Sequence, residues 1–182
     1  MCQHAVFGMH ATRPERGGEE EDVAISVGDK IPDVKVMTPT AEGPKPAQTG
    51  ELLGSGKVVL FAVPGAFTPT CSDYHLPGFV LRHDELKAKG VDKVACISVN
   101  DAFVMAAWGQ AQNVGDNVIM LADGNGEFTR AVGLELDLGV AGLGMRSRRY
   151  ALVLQDGVVT DVKLEEGGKL EVSSADAVLA AL

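Results

Sequence analysis

Apolar residues fall in short runs separated by amphipathic stretches. Val58-Val59-Leu60-Phe61-Ala62-Val63 is unbroken and reads as a buried strand. Residues 94–99 and 118–121 read as two more. Residues 150–154 and 158–164 flank Asp156-Gly157, a strong hairpin signal. Residues 34–37 alternate as a short edge strand, and the Gly/Pro-rich segment 43–46 reads as a loop. Between the strands lie helical patterns. Thr49 is placed to cap a short helix through Leu53. A longer helix starts at Pro69, is kinked or ended by Pro77, and continues on Phe79, Val80, His83 and Leu86 to Lys89-Gly90. Asp101 caps a helix carrying Phe103, Val104, Ala107 and Trp108, and Ser173 or Ser174 opens a C-terminal one. Strands alternating with helices, then a closing hairpin and helix, predict an α/β layer structure.

Composition narrows this picture. With 182 residues and 46% hydrophobic content, the chain suffices for one domain with a full core. The boundaries expected are a flexible leader over 1–23 and a domain over 24–182. The leader carries Pro, Gly and the acidic run Glu19-Glu20-Glu21-Asp22 with no apolar periodicity. It lacks the apolar stretch of a secretory signal, and the acids count against an organellar transit peptide. The location expected is therefore cytoplasmic, with chloroplast or mitochondrion as the alternative if the leader is a transit remnant. A net charge of −9 argues against nucleic acid or an anionic membrane as partner. Three cysteines, Cys2, Cys71 and Cys96, are too few for a disulfide scaffold and fit a reducing compartment with one or two reactive thiols. Cys2, His4 and His10 make no metal site in a leader without fixed geometry, and no cofactor is called for. Gly54-Ser55-Gly56-Lys57 is not a phosphate loop, because it precedes a strand and Val58 stands where Ser or Thr is needed.

The chemistry concentrates in Pro64-Gly65-Ala66-Phe67-Thr68-Pro69-Thr70-Cys71. Thr68 is a good N-cap and Pro69 suits the first helical position, which makes Cys71 the third. Its thiol then reaches back toward the Thr68 hydroxyl, the free N–H groups of the first turn and the positive end of the helix dipole. That arrangement favours a thiolate. The segment, with Ser72 and His75-Leu76-Pro77-Gly78-Phe79, resembles the active-site segment of peroxiredoxins of the Prx5, or type II, group in its plant-type form. The likeness also covers residues 94–103, 134–138 and 142–150. It implies a thioredoxin-like fold, a central mixed sheet flanked by helices, as does the order strand, Cys-bearing helix, strand, hairpin. It implies a thiol peroxidase that reduces hydrogen peroxide and alkyl hydroperoxides through Cys71. It also implies that Pro64 shields the sulfur, and that the protein forms a homodimer.

Ionising the thiol supplies little more than one order of magnitude in rate, because nucleophilicity falls with pKa. The remainder requires donors aimed at the charge developing on oxygen, each worth roughly 10²–10³-fold. No cation lies in the segment itself. The resemblance assigns that role to Arg149, while spacing alone leaves Arg146 and Arg148 open. A strand starting near Arg148 would send Arg148 and Arg149 to opposite faces. For His75, a structural bond within the kinked helix is favoured over a part in catalysis. Cys96 follows Cys71 by 25 residues, and the resemblance makes it a possible resolving cysteine. Its place in an apolar strand equally suits a small core residue. The reductant is then Cys96, or external glutathione with glutaredoxin, or thioredoxin. A thioredoxin-type reductase would need Cys-x-x-Cys, but Thr68 occupies the first position.

Overall fold

In the computed structural model residues 24–182 are described; the expected leader, with Cys2, His4 and His10, lies outside them. Every residue of the apolar run from Val58 to Val63 is fully buried. It forms β3 (Lys57–Ala62), which is flanked on one side by the parallel β4 (Lys93–Ser98) and on the other by the antiparallel β8 (Tyr150–Gln155). Parallel strands covered on both faces read as continuous apolar runs, and that is why β3 and β4 were plain in the sequence.

The sheet has seven strands in the order β2-β1-β5-β4-β3-β8-β9. β1 (Lys35–Thr38), β2 (Lys45–Gln48), β5 (Ile119–Ala122) and β9 (Val158–Leu164) complete it. It is mixed: β5, β4 and β3 run parallel and the other pairings are antiparallel. β8 and β9 form the hairpin expected around Asp156-Gly157. Two expectations are corrected here. Lys45 and Pro46 of the expected loop 43–46 belong to the strand β2, and β1 is therefore not at the edge. Pro46 can sit in β2 because that strand has an open side where a missing N–H costs nothing.

Strand alternation divides the core into two layers. Val59, Phe61 and Val63 face one cluster with Cys71, Cys96, Phe79 and Trp108. Val58, Leu60 and Ala62 face the other with Leu121, Phe128 and Tyr150. Ala151 and Val153 of β8 belong to the first layer, and Tyr150, Leu152 and Leu154 to the second. Arg149, two residues before Ala151, is thereby aimed toward the layer that holds Cys71.

The helices differ from expectation in instructive ways. α1 (Thr49–Leu53) exists, but its N-cap position is Gln48. The Thr49 hydroxyl instead donates to the Pro32 carbonyl at 2.6 Å and accepts from the Val34 N–H at 2.9 Å. α4 (Ala102–Ala111) is capped by Asp101, whose carboxylate accepts from the Val104 N–H. Its buried face is Ala102, Met105, Trp108 and Gly109; Ala107 is exposed and Phe103 is 74% exposed. α6 (Ala175–Ala181) is capped by Ser174. α5 (Glu127–Ala131) and a small two-stranded sheet, β6 (Glu135–Asp137) with β7 (Met145–Ser147), were not expected.

Candidate active site

Helical structure begins at Pro69, and the Ser72 N–H donates to the Thr68 carbonyl at 3.0 Å. Cys71–His75 then forms a π-turn, closed by the Leu76 N–H donating to the Cys71 carbonyl. Pro77 explains the widening. A proline has no N–H to offer the carbonyl of Asp73, four residues back, and its ring would collide with that carbonyl. The backbone opens by one residue ahead of it, then continues as α2 (Leu76–Leu81) and, after a break at Arg82, α3 (His83–Ala88). The result places Cys71 and His75 together on the buried side.

The loop before the helix is braced from β4. Asn100 Oδ1 accepts from the Ala66 N–H at 3.0 Å and from the Ser98 hydroxyl at 2.6 Å. Ser98 Oγ also lies 3.3 Å from the Val63 carbonyl. Gly65 is required by close approach, since a Cβ there would stand 3.1 Å from both Arg146 Nη1 and Thr68 Cγ2. Phe67 takes a left-handed φ of 63° and is 54% exposed, a strained non-glycine position beside the thiol segment. Pro64 is half-buried.

Arg149 Nη1 lies 3.4 Å from Cys71 Sγ and 3.1 Å from His75 Nδ1. Cys71 is fully buried, Arg149 is 5% exposed and His75 is 1% exposed. Among the described residues no carboxylate pairs with Arg149, and its Nε has no hydrogen-bond partner. An unpaired guanidinium is costly to bury, and the acceptors that its Nη1 meets are Cys71 Sγ and His75 Nδ1. The three arginines are thus separated. Arg148 Nη2 reaches the Glu165 carbonyl at 3.3 Å, and Arg146 Nε donates to the Leu143 carbonyl at 2.8 Å.

Thr68 is placed as expected at the helix mouth, but its hydrogen is not aimed at the sulfur. Its hydroxyl lies 2.8 Å from the Gly65 carbonyl, which can only accept, so Thr68 donates there. What Thr68 retains is acceptor capacity.

The tautomer of His75 follows from its partners. Arginine can only donate, so Nδ1 accepts from Arg149; a carbonyl can only accept, so Nε2–H donates to Ser173 O at 3.0 Å. A second ring proton would oppose the guanidinium. Burial first, and the charge of Arg149 second, push the His75 pKa down to about 3, against weaker opposing pulls from the Ser173 carbonyl and Glu165. An unfolded histidine takes up its proton near pH 6.5. Between about 3 and that value the unfolded state therefore binds more protons, and stability falls as pH falls through the window, by up to ~1.4 kcal/mol per unit. Urea midpoints between about pH 6.5 and 4.5 are expected to drop more steeply for wild type than for His75→Asn. Equal slopes would contradict a buried neutral His75.

Several contributors escaped the sequence reading. Trp108 Nε1 donates to Ser72 Oγ at 3.0 Å, tying α4 to the π-turn. The Phe61 ring stacks on Phe79 at 4.1 Å and lies 5.0 Å from the His75 ring. Glu165 and Ser173 come from segments 90 or more residues away from Cys71 in the chain, and no local pattern marks them.

A buried thiol at the mouth of a helix, faced by a guanidinium from a neighbouring strand, on a thioredoxin-like sheet, defines a thiol-based redox protein. Residues 26–179 match the Redoxin family. The chain belongs to that family, and within it to the peroxiredoxins of the type II, plant-type group. It is 53% identical over 163 residues to "Peroxiredoxin-2E, chloroplastic" of Arabidopsis thaliana, covering 87% of this chain and 70% of the relative. It is 51% identical over 159 residues to "Peroxiredoxin-2B" of the same plant, covering 87% and 98%. A crystal structure of reduced Prx3 from Vibrio vulnificus in complex with H2O2 is similar with a TM-score of 0.83 and 52% identity, covering 86% of this chain and 98% of that one. The protein is a thiol-dependent peroxidase, with a peroxide as substrate and a thiol as reductant. No helix among the described residues is long and apolar enough to cross a membrane.

Proposed function

We propose that Cys71 is the sulfur that attacks the peroxide, in a domain spanning 24–182 that follows a leader over 1–23. The observation that carries this is the 3.4 Å approach of Arg149 Nη1 to Cys71 Sγ between two buried groups. The Cys71 thiolate attacks one peroxide oxygen, the O–O bond breaks, and the sulfur becomes a sulfenic acid while the other oxygen leaves and takes a proton as water or an alcohol. Arg149 opposes the charge on sulfur in the ground state and on the oxygens in the transition state; its unpartnered Nε supplies a further donor. Thr68 accepts the O–H of the peroxide, for which its free lone pairs are suited. Pro64 stiffens and covers the loop. That the relative from Vibrio vulnificus was crystallised with H2O2 supports hydrogen peroxide as a substrate.

An external thiol closes the cycle. It attacks the sulfenic sulfur, releasing water and leaving a mixed disulfide. A second thiol then frees Cys71 as the disulfide of the two reductants departs. Cys96 is poorly suited to that step. It is fully buried in β4, the middle strand, with Phe61 and Met120 paired to it on either side. Burial, and after it the charge of Cys71, push its thiol well above the ordinary range, so it holds little reactive thiolate. The external thiol is glutathione with glutaredoxin, or thioredoxin. Because Cys71 is fully buried, the first helical turn must open before a thiol larger than a peroxide reaches it. Cys96→Ser is expected to react with peroxide within about twofold of wild type, since no polar contact to Cys71 is lost. Mass spectrometry of the oxidised wild type with glutathione is expected to show a Cys71 adduct. A Cys71–Cys96 disulfide as the main product would contradict the external route.

A homodimer is proposed across the edge of the site. Phe103, Val140 and Met145 are large apolar side chains that remain exposed, whereas Trp108 is fully buried and makes no such contact. Sedimentation at micromolar concentration checks this, and a monomer would contradict it. The chloroplastic name of one relative supports the chloroplast over the cytoplasm as the compartment, and import into isolated chloroplasts tests it.

A further inference from the structure

The attacking sulfur and its arginine are the visible end of a closed ring of hydrogen bonds, and the far side of that ring lies outside the segment that carries the chemistry. The Glu165 N–H donates to the Arg149 carbonyl at 3.0 Å, at the point where β9 ends beside the start of β8. The Glu165 carboxylate turns inward. Its Oε1 accepts from the Glu171 N–H at 2.7 Å, the Ser173 N–H at 2.7 Å and the Ser173 hydroxyl at 2.9 Å. The Ser173 carbonyl accepts from His75 Nε2–H, and His75 Nδ1 accepts from Arg149 Nη1, the nitrogen that meets Cys71. Glu165, Ser173, His75 and Arg149 are all 5% exposed or less.

Each link fixes the next. The carboxylate gathers the main chain of 171–173 into a tight return. That return aims one carbonyl at the imidazole. The carbonyl selects the Nε2–H tautomer, which leaves the Nδ1 lone pair facing the guanidinium. Without it, the imidazole could turn a hydrogen toward Arg149 and push the guanidinium off the sulfur. Burial raises the Glu165 pKa, but the bonds from Ser173, Glu171 and Val172 outweigh that and hold the group below its ordinary range. Those bonds hold the carboxylate in its charged form. Neither lysine nor arginine forms an ion pair with Glu165 among the described residues. Its partners are the N–H groups of the return and the hydroxyl of Ser173.

We infer that Glu165, acting through Ser173 and His75, is a positioning residue for Arg149, so that the segment between β9 and α6 sets the rate at which Cys71 is oxidised. The inference rests on Cys71 being the reacting sulfur. It assigns a part in the reaction to a carboxylate that touches neither peroxide nor thiol.

The test is a double-mutant cycle read as the second-order rate of Cys71 oxidation by hydrogen peroxide under single turnover. Glu165→Gln keeps the shape of the side chain but replaces three bonds to a charged acceptor by weaker bonds to a neutral one, and is expected to slow oxidation roughly tenfold, because a small misplacement of a catalytic donor costs up to 10² in rate. In an Arg149→Ala background the same change is expected to have no further effect, since there is then no guanidinium to misplace. A merely structural carboxylate would give the same loss in both backgrounds. A Glu165→Gln rate within about twofold of wild type, or a tenfold loss that persists without Arg149, would overturn the inference. Should Glu165→Gln not fold, Ser173→Ala carries the same cycle with an expected loss of about threefold, because it removes one of the bonds to the carboxylate. Failure of the underlying reading is distinguishable, because wild type would then show no oxidation at Cys71 at all.

Discussion

With serine in place of Cys71, peroxide consumption is expected to fall to the uncatalysed background, a loss of at least about three orders of magnitude. A serine hydroxyl has the right size for the site but does not ionise near neutral pH, so Arg149 would face a neutral oxygen in place of a charged sulfur. Nothing else among the described residues can substitute. The other described cysteine, Cys96, is sealed within the middle strand with its thiol held neutral. The fold should survive, because Cys71 contributes a single side chain to a layer that also holds Phe61, Phe79 and Trp108. Peroxide loss followed in the presence of excess glutathione and glutaredoxin is the measurement. Activity within tenfold of wild type would show that the reacting sulfur lies elsewhere.

The second large effect belongs to the guanidinium. Arg149→Ala is expected to slow Cys71 oxidation by about 10²–10³-fold, the range found when a donor to a developing oxyanion is removed from a water-poor site. Arg149→Lys should recover only part of this. An ammonium restores the charge but not the planar fork that addresses sulfur, imidazole and peroxide together. Arg146→Ala should change the rate by no more than about threefold, because that side chain serves the Leu143 carbonyl and the Gly65 turn and makes no bond to Cys71. Stopped-flow oxidation of the three variants separates them. Equal small losses for Arg149→Ala and Arg146→Ala would refute the assignment of the arginine.

Much of this is legible in the chain itself. β3 and β4 were plain because parallel strands covered on both faces must be apolar throughout. The hairpin was plain because Asp156-Gly157 supplies the turn, with Asp156 at a φ of 50° and Gly157 at 78°. The site loop and Cys71 were plain because strand, cap and proline fall in consecutive positions. The opposed directions of Arg148 and Arg149 followed from alternation, even though β8 begins one residue after Arg149.

What was misread has physical causes. α4 is apolar nearly all round, so its pattern does not say which face is buried; the structure buries Trp108 and leaves Phe103 in solvent. The first half of β2 falls in the expected loop 43–46 because Lys45 and Pro46 have low strand propensity, and only the pairing with β1 makes them a strand. The Thr49 hydroxyl was assigned to its own helix, but it bridges Pro32 and Val34 in a segment that sequence does not bring near. The widest gap concerns His75. Local reasoning gives it a structural bond within its own helix, but its partners are Arg149 and Ser173. Arg149 is 74 residues away, and the group that fixes the ring, Ser173, is 98 residues away. Contacts of that span are set by the sheet order and leave no local mark.

One experiment bears most directly on the central claim. Reduced protein is treated with one equivalent of hydrogen peroxide in the presence of a sulfenic-acid-trapping dione, digested, and mapped by mass spectrometry. The trapped adduct is expected on Cys71, in high yield for wild type and strongly reduced for Arg149→Ala at the same short reaction time. An adduct confined to Cys96, or a Cys71 adduct that forms equally fast without Arg149, would contradict the pairing of sulfur and guanidinium on which the mechanism stands.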